Sequence, residues 1–319
     1  MAVYTEVSDE ALASFLADYD LGALVAFRGI AEGVENSNYS VRTGAGDFIL
    51  TLYEKRVEVA DLPWFLGLME HLARAGIACP LPVRGRDGAA LRHLCGRAAA
   101  ITTFLPGVWP RRVRQEHCAP LGAALAALHS AGRGYAPERE NTLGPCGWAP
   151  LLARNLARAD EVMAGLGAEL QAALDLILAA WPAGLPRGHI HADLFPDNVF
   201  FLEGRVSGLI DFYFAATDIL AYDVAVCLNA WCFEPDLSLN VTKTRALLRG
   251  YEAARPLAPA ERAALPVLCQ GAAIRFLLTR LYDWLHTPSG ALVTRKDPFD
   301  YLRRLRFHLA ARDEAAYGL

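Results

Sequence analysis

The residue pattern of this 319-residue chain changes abruptly near residue 105. Before that point, short runs of apolar and β-branched residues predict strands, and two segments have helical spacing, one before the first strand and one between the third and fourth. The strand-like runs cover residues 24–27, 39–42, 48–53 and 98–104, and the helical patterns cover 8–20 and 61–75. The turn at residues 43–47 joins two of these strands, so we expect an antiparallel hairpin there.

Beyond residue 105 the sequence becomes mostly helical. Helical spacing covers residues 118–129, 151–165, 170–180, 242–252, 260–287 and 298–315. The exception is the stretch 189–214, where β-like runs at 199–202 and 206–210 interrupt the helices. The pattern predicts an α+β fold, with a small antiparallel sheet lobe over 1–105 and a mostly helical lobe over 106–319.

Composition limits the functions open to the chain. Hydrophobic residues make up 54% and charged residues 21%, which is typical of a packed globular protein. A net charge of −4 gives no reason to expect nucleic-acid binding. The first residues lack the pattern of a signal peptide, and no membrane-spanning segment is expected. Seven scattered cysteines without a C-x-x-C spacing predict free thiols in a reducing cytoplasm.

Lysine is scarce in this sequence. Of the 31 basic residues, 28 are arginine, and the three lysines are Lys55, Lys243 and Lys296. A phosphate-binding loop of the Walker type requires Gly-Lys followed by Ser or Thr, and none of the three lysines stands in that pattern. The commonest signature of nucleotide hydrolysis is therefore excluded.

The most informative segment carries the pattern H-x-D-L-x-x-x-N at His191, Asp193, Leu194 and Asn198, followed thirteen residues later by Asp211 within Ile-Asp-Phe. Phosphoryl transfer requires a carboxylate that accepts or orients the proton of the attacking hydroxyl, and Asp193 suits that role. Mg²⁺ prefers oxygen ligands, which Asn198 and Asp211 provide. The β-like runs between them form a hairpin that would bring both residues to one edge.

This set resembles the protein-kinase signature, with Ala192 in place of the arginine of H-R-D. In that form it is similar to the aminoglycoside-phosphotransferase-like and choline-kinase-like small-molecule kinases. Segments 48–56, 191–198, 211–215, 229–232 and 281–288 together resemble the bacterial homoserine kinases of this fold, in order along the whole chain. The resemblance implies a protein-kinase-like two-lobe fold, ATP and Mg²⁺ as cofactors, and phosphorylation of the L-homoserine hydroxyl in threonine biosynthesis.

The same resemblance implies roles for further residues. Ser37 and Asn38 belong to the loop that covers the nucleotide phosphates, and they are expected to hydrogen-bond phosphate through backbone and side chain. Thr103 and Leu105 fall in the segment that binds adenine through backbone groups. His191 and Asp223 are expected to support the catalytic loop, and a direct role of His191 as the base is the less favoured alternative.

The sequence departs from the kinase pattern at the strand lysine that meets the nucleotide phosphates. Alignment of the third strand puts Thr51 at that position, and Phe65 falls near its acidic partner in the next helix. Lys55 comes four residues later, about 13 Å along an extended strand. Lys55, Arg42, or Mg²⁺ with backbone amides alone remain as alternative sources of positive charge.

L-Homoserine carries a carboxylate and an ammonium group as well as its hydroxyl. Residues 255–319 have a net charge of +4, whereas residues 1–254 have −8, which argues against a polycationic aminoglycoside as substrate. Bidentate binding makes arginine suitable for a carboxylate. The candidates are Arg275, Arg280 and Arg295 for the carboxylate, Asp283 for the ammonium and Tyr213 for the cleft wall.

Two other functions stay open from the sequence alone. An aromatic cage around a quaternary ammonium, built from Trp231, Tyr282 and Trp284, would indicate choline or another small amino alcohol. The missing lysine also suits a non-catalytic binding protein with a kinase-like fold. The second alternative is disfavoured because Asp193, Asn198 and Asp211 are all present.

Overall fold

The computed structural model describes residues 4–31, 36–54, 57–287, 295–311 and 313–318. The chain divides into two compact units, one formed by residues 1–107 with 207–213 and the other by 108–206 with 214–319. Residues 207–213 thus return to the first unit, which the sequence pattern does not predict. Lys55 lies outside the described residues.

The first unit contains a five-stranded antiparallel sheet in the order β1-β2-β3-β5-β4 and two helices. Its elements are α1 (Asp9–Leu16), β1 (Leu24–Gly29), β2 (Ser37–Thr43), β3 (Gly46–Tyr53), α2 (Leu62–Arg74), β4 (Arg92–Leu94) and β5 (Arg97–Thr103). The predicted hairpin is confirmed, with Thr43 paired to Gly46 across a two-residue turn. Leu12 of α1 joins Val41, Leu50 and Ile101 of the sheet in one buried apolar cluster.

Helices dominate the second unit, as the sequence predicts. They are α3 (Gln115–Gly132), α4 (Pro145–Val162), α5 (Leu166–Ala180), α6 (Leu220–Trp231), α7 (Val241–Glu252), α8 (Pro259–His286) and α9 (Phe299–Ala310). The short strands are β6 (Arg187–Ile190), β7 (Val199–Leu202), β8 (Arg205–Leu209) and β9 (Ala216–Ile219), with β6 paired to β9 and β7 to β8. The boundary between the two units falls within β8.

Strands β6 and β9 were not predicted. Each is four residues long, and Arg187 pairs with Ile219 across an intervening hairpin. A segment this short has too few residues to show a period of two, and both strands form through contacts with distant parts of the chain, namely each other and the helices α3 and α6. The helix predicted over residues 8–20 is shorter, since α1 ends at Leu16.

Helix α8 is the longest element, with 28 residues. An 18-residue window within it has a mean hydropathy of 1.3, so by length and composition it is the one helix of the described ranges that could cross a membrane. Within the structure, 72% of that window is buried, as in a core helix. The sequence-based expectation overlooked how apolar this stretch is.

His308 of α9 is fully buried in a hydrogen-bonded network of the second unit. Asn229 donates its amide nitrogen to the carbonyls of Ala225 and Cys269, which turns its Oδ1 towards His308 Nε2 at 3.1 Å. His308 Nε2 is therefore the donor, and Nδ1 accepts from the Tyr317 hydroxyl at 2.8 Å. Burial, reinforced by the charge of Arg304, lowers the pKa of His308 to about 3.

We predict that His308 makes the folded chain sensitive to acid. Between pH 6.5 and 3 the unfolded chain binds a proton at this imidazole and the folded chain does not, so stability falls as the pH falls. From pH 7 to pH 5 the loss from this group is about 1–2 kcal/mol. Urea unfolding at both pH values should show a smaller pH dependence in His308→Gln. The same substitution at the exposed His286 should leave the dependence unchanged.

Candidate active site

Asp193 and Asn198 lie together in the loop between β6 and β7. A short 3-10 helix over Pro196–Asn198 turns the chain back, and the Asn198 amide nitrogen donates to the Asp193 carbonyl at 2.8 Å and to its Oδ2 at 3.2 Å. Because the nitrogen faces Asp193, the amide oxygen of Asn198 is left for another ligand. Asp193 itself is half-buried, and its backbone N–H donates to His191 Nδ1 at 3.3 Å.

Asp223 holds this loop from the first turn of α6. Its fully buried carboxylate accepts from the backbone N–H groups of His191 at 2.7 Å and Ala192 at 2.8 Å. His129 of α3 places Nε2 at 3.1 Å from the same carboxylate. Burial alone would raise the pKa of Asp223, but the hydrogen bond and charge of His129 and the His191 backbone bring it below its usual value. Asp223 therefore stays ionised.

Ala192 has a left-handed backbone, with φ of 63°. A non-glycine residue in this region is strained and needs support from its surroundings. Arg275 of α8 supplies it, because its guanidinium donates to the Ala192 carbonyl. The guanidinium also lies 4.1 Å from the ring centroid of Phe276 and 5.5 Å from that of Phe214, and the side chain is buried.

Arg275 was expected to bind a substrate carboxylate. The structure instead brings it to the loop that carries Asp193, where its Nη1 donates to the Ala192 carbonyl. Asp283, the expected partner of the ammonium group, is half-buried near the end of α8. The two side chains are eight positions apart on one helix, or about two turns.

Asp211 and Tyr213 belong to the first unit. Asp211 follows β8 in a left-handed conformation, with φ of 65°. The Tyr213 hydroxyl lies 2.9 Å from that of Tyr53, and its ring packs edge-on against Tyr53 and Phe65. Burial raises the pKa of Tyr213 well above its ordinary value, so the phenol stays neutral.

The residues expected at the adenine follow β5. The Thr103 N–H donates to the Leu81 carbonyl at 3.0 Å, and its hydroxyl accepts from the Leu81 N–H, also at 3.0 Å. Phe104 donates to the Asp47 carbonyl at 3.4 Å, and Leu105 is half-buried. The Thr103 N–H is thus engaged by Leu81, which limits a backbone contact with adenine to other backbone groups, whereas the Thr103 hydroxyl still has its proton to donate.

Ser37 and Asn38 are both built into β2. The Ser37 hydroxyl accepts from the N–H groups of Tyr4 and Thr5 and donates to Glu54 at 2.7 Å. A hydroxyl has one proton and two lone pairs, so this one has no capacity left for phosphate. Asn38 Oδ1 accepts from the Thr51 hydroxyl at 2.8 Å. The expected side-chain contact of Ser37 with phosphate is therefore not supported.

Among the described residues, strand β3 has no cation at or near the position of the strand lysine in the kinase pattern. Thr51 stands at its position, as expected, and is buried. Arg42 is engaged on the surface, where Nε lies 2.7 Å from Asp47. The buried acid of α2 is Glu70, five positions after Phe65, and it pairs with Arg84 at 2.5 Å and Arg74 at 2.6 Å.

Sequence reasoning missed His129. This histidine lies 62 positions before His191, in a helix without any recognised motif, so only its place opposite Asp223 shows its role. Its Nδ1 lies 2.8 Å from the hydroxyl of Tyr251, which also went unnoticed. A buried histidine in an amphipathic helix carries no local sequence signal that separates it from an ordinary core residue.

Comparison with known proteins agrees with the motif. The phosphotransferase enzyme family model matches residues 26–257 of the chain. The chain is 72% identical to a homoserine kinase of Granulibacter bethesdensis and equally to one of Acidiphilium cryptum, in each case over 319 residues and the full length of both proteins.

Solved structures support the fold. An amicoumacin kinase in complex with AMP-PNP and Ca²⁺ superimposes with a TM-score of 0.70, at 15% identity, covering 95% of this chain and 92% of that one. At this level of identity the likeness concerns the fold alone. The expected α+β, protein-kinase-like fold is confirmed.

We predict that Asp223→Asn destabilises the folded chain by about 2–4 kcal/mol, because the amide nitrogen would face backbone donors that then lack an acceptor. Urea unfolding monitored by circular dichroism measures the change. Asp175→Asn on α5 is the control, since Asp175 is exposed and should shift stability by no more than about 0.5 kcal/mol. Equal effects of the two substitutions would contradict the anchoring role of Asp223.

Proposed function

The chain belongs to the phosphotransferase enzyme family and, within it, to the homoserine kinases, and we propose that it transfers the γ-phosphate of ATP to the hydroxyl of L-homoserine, giving O-phospho-L-homoserine. The observation that carries this proposal is the 72% identity to curated homoserine kinases over the whole chain. We place the reaction in the cytoplasm, as a step of threonine biosynthesis.

Asp193 is the proposed catalytic base. Hydrogen bonds from Asn198 hold its Oδ2 and its carbonyl. Below it, Asp223 binds the backbone of His191 and Ala192. A carboxylate fixed in this way orients the attacking hydroxyl and receives its proton as the bond to phosphorus forms.

Asn198 and Asp211 are the proposed ligands of Mg²⁺. Asn198 directly precedes β7 and Asp211 follows β8, and each offers an oxygen, the donor type that this ion prefers. Protein sites for Mg²⁺ typically supply one or two carboxylates and take the other ligands from phosphate and water, so this small set fits. When bound, the ion neutralises charge on the phosphates.

The nucleotide and substrate contacts are proposed at a coarser level. Leu105 and the backbone next to Thr103 would receive the adenine, and the backbone around Asn38 would cover the phosphates. Tyr213 would form part of the cleft wall, and Asp283 would meet the substrate ammonium group. Lys55 remains a candidate for the phosphate charge.

We predict that Asp193→Asn lowers kcat by about 10²- to 10⁴-fold while the protein stays folded, because the amide cannot take up the proton. Release of ADP with saturating L-homoserine measures the effect. Asp197→Asn is the matched control, since Asp197 is exposed in the same loop, within the short helix Pro196–Asn198, and should retain activity. Retained turnover in Asp193→Asn would rule out its role as the base.

A second prediction concerns substrate choice. Among L-homoserine, choline, ethanolamine and kanamycin, we expect kcat/KM to be highest for L-homoserine by at least about 10²-fold, since a site that binds polar groups discriminates strongly against analogues that lack them. Preference for choline would support the amino-alcohol alternative. Absence of ADP release with all four would indicate a non-catalytic protein.

A further inference from the structure

The hydroxyl of Tyr301 is a buried polar group without a hydrogen-bond partner among the described residues. The side chain is fully buried in α9. Buried hydroxyls are nearly always hydrogen-bonded, and leaving one unpaired costs about 1–3 kcal/mol. A group kept at this cost is a candidate for binding a ligand.

Two arginines lie over the ring of the same tyrosine. The guanidinium carbon of Arg280, from α8, is 4.5 Å from the ring centroid, and that of Arg304, one turn further along α9, is 4.6 Å away. The Nε of Arg304 is also buried without a hydrogen-bond partner in the described ranges. Two buried groups that lack hydrogen-bond partners among the described residues, the Tyr301 hydroxyl and the Arg304 Nε, therefore belong to this cluster.

The negative charge near this cluster is limited. Arg280 Nη1 lies 3.3 Å from Asp300 Oδ2 and 3.1 Å from the Asp297 carbonyl. No ion pair of Arg304 is found among the described residues. Of the three donor groups, only Arg280 has a carboxylate within ion-pair distance among the described residues, the partly exposed one of Asp300, which leaves room for a small anion.

The cluster lies beside the catalytic loop. The ring of Phe195 is 6.4 Å from that of Tyr301, and the Phe195 N–H donates to the Asp193 carbonyl at 2.8 Å. The charge of Asp193 also acts on the Tyr301 phenol, against those of Arg304 and Arg280. An anion held here would lie on the side of this loop that faces α9, near Asp193.

We propose that Tyr301, Arg280 and Arg304 bind the carboxylate of the amino-acid substrate. The assignment rests on the proposed function and deepens it by naming the specificity site. Arg275, which the sequence suggested for this role, is engaged by the Ala192 carbonyl. Arg304 is only half-buried, so its side chain can turn from the Tyr301 ring to the entering carboxylate. This movement would give the carboxylate access to the Tyr301 hydroxyl.

The chemistry recognised is that of a small oxyanion, which is either the substrate carboxylate or the phosphoryl group in transfer. The comparison of L-homoserine with 3-aminopropan-1-ol separates the two, because the second compound has the hydroxyl and amine without the carboxylate. The variants are Tyr301→Phe, which removes one oxygen, and Arg304→Gln, which removes one charge.

For L-homoserine, we expect each variant to raise KM by about tenfold to hundredfold, the size of one lost hydrogen bond to a charged group. The KM for ATP and the kcat/KM for 3-aminopropan-1-ol should stay as in the unsubstituted enzyme. A fall of kcat with both acceptors would assign the cluster to the phosphoryl group and overturn the proposal, as would an unchanged KM for L-homoserine.

Arg303→Gln is the matched control, since Arg303 is an exposed neighbour on the same helix and should leave all constants unchanged. Thermal unfolding of each variant separates a binding defect from a folding defect. Tyr301→Phe keeps the ring and its packing, so it tests the hydroxyl even if Arg304→Gln is unstable.

Calorimetric titration with L-homoserine makes the outcome independent of turnover. Weaker binding of L-homoserine to Tyr301→Phe supports the carboxylate site, whether or not the unsubstituted protein releases ADP. A lack of ADP release would contradict the proposed function alone. Unchanged binding in an active enzyme would contradict the carboxylate site alone.

Discussion

The loop that carries Asp193 depends on the hydrogen bonds that the buried carboxylate of Asp223 accepts. This carboxylate accepts hydrogen bonds from two consecutive backbone N–H groups, those of His191 and Ala192, and thereby fixes the turn that precedes Asp193. In this turn Ala192 has a left-handed backbone conformation, and Arg275 stabilises it by donating a hydrogen bond to the Ala192 carbonyl. Helices α6 and α8 therefore hold the N–H and the carbonyl of one strained residue, Ala192, and the position of Asp193 follows from both.

The anchor continues as a chain of buried polar groups. His129 joins the carboxylate to the Tyr251 hydroxyl, Arg255 donates to that hydroxyl at 2.9 Å, and the same guanidinium reaches Glu261 at 2.8 Å. Isolated buried charges are costly, but each of these has a partner, so the cost is largely offset. The network ties α3, α6, α7 and the start of α8 to one geometry, which apolar packing alone would specify less uniquely.

The local parts of this arrangement were predictable from sequence. The H-x-D-L-x-x-x-N pattern singled out Asp193 and Asn198, and the turn at residues 43–47 predicted the β2–β3 hairpin. The contacts of His129 and Arg275 span long stretches of chain, and no local pattern encodes them. The contact of the Ser37 hydroxyl with the backbone of Tyr4 and Thr5 is also long-range. For the same reason the sequence wrongly suggested that this hydroxyl is available to bind phosphate.

The predominance of arginine has a physical reason around Asp193. A guanidinium is planar and weakly hydrated, so it can stack on an aromatic ring and still donate from its edges. Arg275 does both with Phe276 and the Ala192 carbonyl, and Arg280 stacks on Tyr301. An ammonium group is compact and strongly hydrated, and Lys243, which is buried, is accordingly paired with Glu234 at 2.7 Å. Lysine in place of the stacked arginines would keep the charge but lose the geometry, so the shortage of lysine does not mean a shortage of cations near Asp193.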